Sequence, residues 1–301
     1  MKSRAYLLML FVVAVWGATF VVVKDALRDA SPLAFNLARM TMAFVVLAVV
    51  YRRHWGRMNW SQVGAGAVVG FFLAMGYQFQ TAGLARTTPS KSAFITGMVV
   101  VLVPLFSVVG WLRPRGARAP GWNAFLGAGL AFVGILLLTL PSAGWFPDFS
   151  GAGLGDLLSF GCAIGFAFHC LALGHLSPRI GFQPLALLQV GFCAVFMAAS
   201  MPLLEHPFLH LTARLCAALA VAAVLATAAA FSIQSWAQSV LPATHTALLL
   251  TLEPVFAWLT AYLFYGERLG ARSAGGAVLI LAGIAVTELL PQAHPATAHE
   301  A

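Results

Sequence analysis

Charge is what this sequence has least of. Of its 301 residues only 9% are Asp, Glu, Lys or Arg, while 61% are hydrophobic; the charged share is about a third of that in an average soluble domain. Such a chain has too little polar surface to cover itself in water, which excludes the soluble globular classes. Cysteine is scarce too. Cys162, Cys170, Cys193 and Cys216 all fall inside apolar runs and form no C-x-x-C, so they read as small hydrophobes and neither a disulfide framework nor a metal site is expected. The motifs G-x-x-x-x-G-K-[ST], H-E-x-x-H and G-x-S-x-G are all missing. That argues against an intrinsic nucleotide motor and against the common zinc and serine hydrolases, and no cofactor is expected. The alternating patterns of a membrane β-barrel are absent as well.

What is present is a series of long apolar runs. A membrane-spanning helix needs about 20 mostly apolar residues. Ten runs of that kind lie at 5–24, 33–51, 61–84, 91–112, 121–140, 154–174, 183–204, 214–238, 243–265 and 271–290. The expected fold is therefore all-α and integral to the membrane, with ten transmembrane helices. The basic, apolar N-terminus resembles a signal peptide, but it runs into Lys24-Asp25 without a small-x-small cleavage pattern and reads as an uncleaved first span. The formal net charge of +8 would suggest an acidic partner in a soluble protein. Here the basic residues cluster between the runs, so they read as topology signals and no nucleic-acid partner is expected. Residues 291–301 are polar and are expected to be a disordered tail.

Orientation follows from Lys and Arg placement. With a cytoplasmic N-terminus, the inner segments hold Lys2, Arg4, Arg52, Arg53, Arg57, Arg113, Arg115, Arg118 and Arg179. The outer ones hold Lys24, Arg28, Arg86, Lys91, Arg214, Arg268 and Arg272. The first half is biased inward, eight to four, and the second outward, three to one. Opposite biases are what two modules inserted in opposite senses would carry. Internal similarity points the same way. AFITGMVVV (93–101) aligns with ALLLTLEPV (247–255), which sets Gln80 on Gln234 and Lys91 on His245. Gly127 and Gly134 match Gly276 and Gly283, Gly17 matches Gly165, and Pro32-Leu33-Ala34 matches Pro184-Leu185-Ala186. Two repeats are expected, 5–140 and 154–290. Five spans per copy is odd, so the second is inverted, a plan common among secondary transporters with the site near the midplane.

Trp16-Gly17, Arg39, FITGMVVVLVP (94–104), LEPVFAWL (252–259) and GERL (266–269) ahead of Gly276 and Gly283 occur in an order and spacing that identify a family resemblance. Over residues 5–290 the chain resembles the EamA-like branch of the drug/metabolite transporter superfamily. The resemblance implies a ten-helix alternating-access transporter of the bacterial inner membrane. Members are often exporters of amino acids, other metabolites or drugs. It implies no particular substrate.

Several polar residues within the runs are candidates for the chemistry. Glu253 lies about ten residues into the ninth run, roughly 15 Å deep at 1.5 Å per residue, near the middle of a ~30 Å core. Pro254 cannot donate to the Leu250 carbonyl, so a carboxyl and a bare carbonyl occur together. Glu253 is read as a substrate ligand and proton carrier, or as a hydrogen-bonded packing element. Arg39 could meet a substrate carboxylate or Glu253, or it could snorkel outward or tie neighbouring helix ends. Gln80 and Gln234, at matched positions, together with Tyr77, could line a wet cavity or bond between helices. Trp16, Asn36 and Thr96 are weaker candidates for the same site. Lys91, His245 and His169 are coupling or gating candidates; anchoring and simple hydrogen bonding are their plainer readings. Gly66-x-x-x-Gly70 and Gly161-x-x-x-Gly165 read as internal packing, and Asp25-x-x-x-Asp29 as a solvated loop.

Three functions compete: a secondary transporter of small organic solutes, an uncoupled facilitator or channel-like permease, and an intramembrane enzyme. The inverted duplication with scattered midplane polar groups favours the first. Its partners would be a small-molecule substrate, protons if transport is coupled, and the bilayer; monomer and homodimer are both open. The charge pattern makes one prediction. A reporter fused after Ala301 should be active in the cytoplasm and silent in the periplasm, and the reverse result would overturn the topology.

Overall fold

The computed structural model describes residues 1–84, 86, 95–114, 117, 119–139, 153–265 and 270–290. Among them every regular element is helical, and the one extended pairing is an isolated bridge between Ala30 and Leu209. In chain order the helices are α1 (Lys2–Ala26), α2 (Pro32–Val50), α3 (Trp60–Leu84), α4 (Val99–Val108), α5 (Trp122–Thr139), α6 (Leu154–Ile180) and α7 (Phe182–Leu204). Then come α8 (Ala213–Ala223), a π-helical segment (Val224–Ala229), α9 (Ala230–Ala237), α10 (Ala243–Leu250), α11 (Glu253–Tyr265) and α12 (Ala271–Leu289). Six stretches among the described residues are long and apolar enough to cross a bilayer: Lys2–Thr19, Pro32–Val50, Trp60–Gly83, Leu154–Ile180, Phe182–Leu204 and Ala213–Ala237. Lys91, the GERL segment 266–269 and the tail 291–301 lie outside the described residues.

Two expected spans are not the continuous helices that hydropathy suggests. The run 214–238 changes to π-type winding at Val224–Ala229. The run 243–265 breaks at Thr251-Leu252, whose N–H groups turn back to Leu248 and Leu249, and a new helix starts at Glu253. Hydropathy misses both, because it reports the cost of contact with lipid and not the path of the backbone.

Lipid tails are as apolar as leucine, so helices in a membrane gain little by hiding hydrophobic faces and associate instead through close fit. Glycines supply that fit. A Cβ at Gly127 would lie 2.6 Å from the Gly283 carbonyl oxygen, and one at Gly134 would lie 2.6 Å from that of Gly276, so α5 and α12 cross antiparallel with their backbones in contact. On α3, Gly66 and Gly70 face Leu188, Gln189 and Phe192 of α7, while Gly76 meets Gly165 of α6. The paired glycines thus serve internal packing. At one end of the bundle, Trp60, Trp111 and Trp122 are 88%, 79% and 52% exposed near the ends of α3, α4 and α5, as interfacial anchors would be.

Asp29 is not a solvated loop residue. It is 9% exposed. It accepts from Thr212 Oγ1 at 2.6 Å and from Arg214 Nε and Nη2 at 3.0 and 2.9 Å. The neighbouring loops also exchange main-chain bonds, Ser31 N to Phe208 O and His210 N to Asp29 O. The Thr212 hydroxyl, followed by Arg214, holds the Asp29 carboxyl below the usual carboxylate range. The clasp between the α1–α2 and α7–α8 connections is therefore complete at neutral pH, and is lost as the pH falls through that depressed value.

The glycine crossing predicts a contrast within one helix. Gly283→Val should destabilise the purified protein by at least about 1–3 kcal/mol, because its side chain must displace backbone. Gly275→Ala, where nothing lies within 4 Å, should leave the melting temperature in detergent unchanged or slightly raised.

Candidate functional site

The polar centre of the bundle is built on α2, α3, the π-segment, α1 and α11. Winding with an extra residue per turn changes which backbone groups are satisfied within the helix. In the π-segment the Thr227 hydroxyl donates to the Ala222 carbonyl, five residues back, at 2.8 Å. The Ala226 carbonyl faces inward and accepts twice, from Trp16 Nε1 at 2.7 Å and from Arg39 Nη2 at 3.0 Å. Thr227 Oγ1 in turn accepts from Arg39 Nε at 2.6 Å. Arg39 is 6% exposed. Its Nη2 also donates to the Tyr77 hydroxyl at 3.1 Å, and its guanidinium carbon lies 5.1 Å from the centre of the Tyr77 ring. Arg39 therefore points into the bundle and does not snorkel. Two faces of its guanidinium are fastened, and Nη1 makes no hydrogen bond among the described residues.

One turn earlier on α2, Asn36 donates to Thr81 Oγ1 at 2.9 Å, and Thr81 donates to the Tyr77 carbonyl at 2.8 Å. This brace fixes α2 against α3 and sets the Tyr77 ring. Around it stand aromatic walls: Phe166 edge-on to Tyr77 with centroids 5.4 Å apart, and Phe231 5.6 Å from Trp16. Aromatic edges and faces of this kind give an apolar lining with defined electrostatics.

Glu253 enters from the other side. A Cβ on Gly17 would lie 2.7 Å from the Glu253 carbonyl oxygen and from Ala257 N, so α1 presses against the first turn of α11 next to Trp16. Glu253 opens α11, where a negative charge is favoured by the helix dipole. Pro254 follows in the first turn, where its missing N–H has no helical partner to lose. Glu253 is half-buried as a residue, and its carboxyl makes no hydrogen bond among the described residues. Arg39 and Glu253 act on each other electrostatically, and the Glu253 charge is also felt at Tyr77 and at Cys162. Thr96 lies beside Cys162, with Oγ1 3.7 Å from the sulfur. Gln80, on the turn of α3 after Tyr77, and Gln234, on the turn of α9 after Phe231, have side-chain amides without hydrogen bonds among the described residues; Gln234 Oε1 is buried with no partner.

Trp16, Asn36, Arg39 and Tyr77 thus form one hydrogen-bonded unit, with Glu253 within electrostatic reach of it. The coupling candidates His169 and His245 lie outside that unit. His169 is buried behind Phe231 and bonds Gln189 Oε1 at 2.9 Å, and Gln189 continues to Ser235 Oγ at 2.8 Å. His245 Nδ1 bonds the Tyr6 hydroxyl at 2.9 Å near the start of α10. Sequence reasoning missed Thr227 and the Ala226 carbonyl. A threonine within VAAVLATAAA (221–230) carries no signal that its turn is wound differently. Among the described residues no group of three or more His, Cys, Asp or Glu side chains could hold a metal ion.

Chemically the unit offers a fixed, desolvated guanidinium with one free edge, a carboxyl without a partner, uncommitted amides and aromatic walls. It can bind a small polar solute and hold or release a proton. Thr227→Val keeps the shape but leaves the buried Arg39 Nε without its acceptor. It should cost about 1–3 kcal/mol of stability, measurable as a lowered unfolding midpoint of the purified protein.

Comparisons with known proteins identify the family. The model of the EamA-like transporter family matches residues 3–140 and again residues 153–289. An uncharacterized transporter of Archaeoglobus fulgidus is 31% identical over 278 residues, 92% of this chain and 83% of that relative. A second from the same organism is 24% identical, over 95% and 98% of the two chains. The uncharacterized transporter YdfC of Bacillus subtilis is 21% identical, over 92% and 88%. A solved crystal structure superimposes with a TM-score of 0.77 over 96% of this chain and 98% of its own, at 19% identity, a likeness of fold. With its apolar helices, its buried polar centre and a family match across nearly the whole chain, this multi-pass membrane protein belongs to the EamA-like transporter family.

Proposed function

We propose that the chain is a secondary transporter that exports small organic metabolites across the inner membrane by alternating access, with Glu253 and Arg39 at the substrate site. The observation that carries this reading is the Glu253 carboxyl, unpartnered among the described residues and within the electrostatic reach of a guanidinium that is itself held rigidly by Thr227, Ala226 and Tyr77. A charged group inside a membrane bundle without a partner of its own is expensive unless a ligand, water or proton meets it. A cation and an acid that act on each other within one bundle suit a zwitterion, so amino acids and related metabolites head the substrate list. Arg39 Nη1 would take the carboxylate, and Glu253 the ammonium group or a coupling proton. Gln80 and Gln234 would complete the polar lining, with Trp16, Tyr77, Asn36 and Thr96 around it.

The same reading includes ten spanning helices in two inverted repeats, 5–140 and 154–290, with both termini cytoplasmic. It is supported by the α5–α12 crossing. The repeat alignment pairs Gly127 with Gly276 and Gly134 with Gly283, and the observed contacts, Gly127 with Gly283 and Gly134 with Gly276, exchange under that pairing. Such an exchange is expected at a two-fold axis in the membrane plane. It is further supported by the broken α10–α11 run, since discontinuous helices commonly build transporter sites. The family match argues for transport over catalysis.

In proteoliposomes, Glu253→Gln should abolish proton-driven accumulation of substrate while the protein still inserts and folds, judged by a native melting temperature. Native transport rates with native pH dependence in that variant would make Glu253 structural. Retained flux without pH dependence would identify an uncoupled facilitator.

A further inference from the structure

A polar cleft lies apart from the Arg39 unit. A cleft of about 220 Å³ opens where α5 and α10 begin and α12 ends, and none of its lining residues belongs to the central cluster. Three independent features converge there. Arg113 lines the cleft, is partly buried, and has no partner among the described residues. The N-terminus of α10 opens onto the same space. Its cap residue, Pro242, has no side-chain acceptor, and the first-turn N–H groups of Ala243 and Thr244, both lining residues, are unpaired among the described residues. Unpaired N–H groups at a helix start, together with the helix dipole, favour an anion.

Asn123 is the third feature. It also lines the cleft and is only 3% exposed. Its Nδ2 donates to the carbonyls of Thr287 and Leu290, both at 3.1 Å, which pins the amide; turned over, it would set Oδ1 against two carbonyl oxygens. Oδ1 is therefore an acceptor by constraint, and it has no donor among the described residues. A buried acceptor left unpaired is costly, and a ligand that brings its own donor removes that cost.

We propose that this cleft is a second binding site, for a phosphate-type oxyanion that carries an O–H or N–H donor, with the oxyanion on Arg113 and the α10 N-terminus and the donor directed to Asn123 Oδ1. Donors that approach from a guanidinium and from a helix start suit a tetrahedral oxyanion better than a flat carboxylate. Free hydrogen phosphate and the headgroup of phosphatidylethanolamine both present this chemistry. The site is independent of the transport reading.

The test uses the purified full-length protein in lipid-free detergent, its melting temperature followed against inorganic phosphate or sulfate at pH 7 and constant ionic strength. Any selective binder stabilises the folded state. Phosphate keeps an O–H at this pH and sulfate does not, so phosphate should act at a concentration at least about threefold lower, and Arg113→Gln should weaken its effect by about tenfold or more. No response, equal responses to the two anions, or an undiminished response in the Arg113→Gln protein would overturn the proposal. A second arm compares phosphatidylcholine vesicles with and without phosphatidylethanolamine. Phosphatidylethanolamine stabilising the native protein but not Arg113→Gln assigns the headgroup as ligand; a response to phosphate alone assigns the soluble anion.

Discussion

The desolvated guanidinium of Arg39 is the constraint on which the centre of this protein depends. A cation in the middle of an apolar bundle is tolerated only if acceptors surround it, since no water shell remains to do so. Three acceptors are supplied, by Thr227 Oγ1, the Ala226 carbonyl and the Tyr77 hydroxyl. Each comes from a helix other than α2, so satisfying one side chain locks α2 to α3 and to the π-segment, and Trp16 Nε1 on the same Ala226 carbonyl draws α1 into the arrangement. The polar centre thereby fixes relative helix positions that generic apolar packing would leave loose.

Both backbone irregularities fall in or beside this unit. A regular α-turn satisfies its carbonyls within the helix. The π-segment also presents the Ala226 carbonyl to two side chains, and that is how an alanine becomes part of the site. The break at Thr251-Leu252 ends α10 and starts α11 at Glu253, giving the carboxyl a helix N-terminus as its electrostatic surroundings. Irregular winding at membrane depth is sustained where protein surrounds it, and the glycine contact between α1 and α11 encloses that turn.

The periphery follows different physics. Near the ends of the bundle water competes, and contacts there are ionic, main-chain or between polar side chains: the Asp29–Arg214 pair with its loop bridge at one place, and the Tyr6–His245 bond beside the Arg113 cleft at another. Exposed tryptophans flank the starts of α3 and α5. Between ends and centre, glycine crossings such as α5 on α12 provide stiffness without polar groups.

Much of this was legible in the residues. Low charge, long apolar runs and the EP and WG motifs were enough for the membrane class, the family and the candidates Trp16, Arg39, Tyr77 and Glu253, because the cost of placing a polar group in lipid is a property of the side chain alone. The direction of Arg39, the partnership of Asp29 with Arg214, the winding at Thr227 and the break before Glu253 were not. Each depends on a group far away in the chain: Thr227 lies 188 residues from Arg39, and Arg214 lies 185 from Asp29. Hydropathy sums one residue at a time and cannot say which distant acceptor will meet a buried donor. Only the packed helices decide that, since a hydrogen bond requires two groups within about 3 Å.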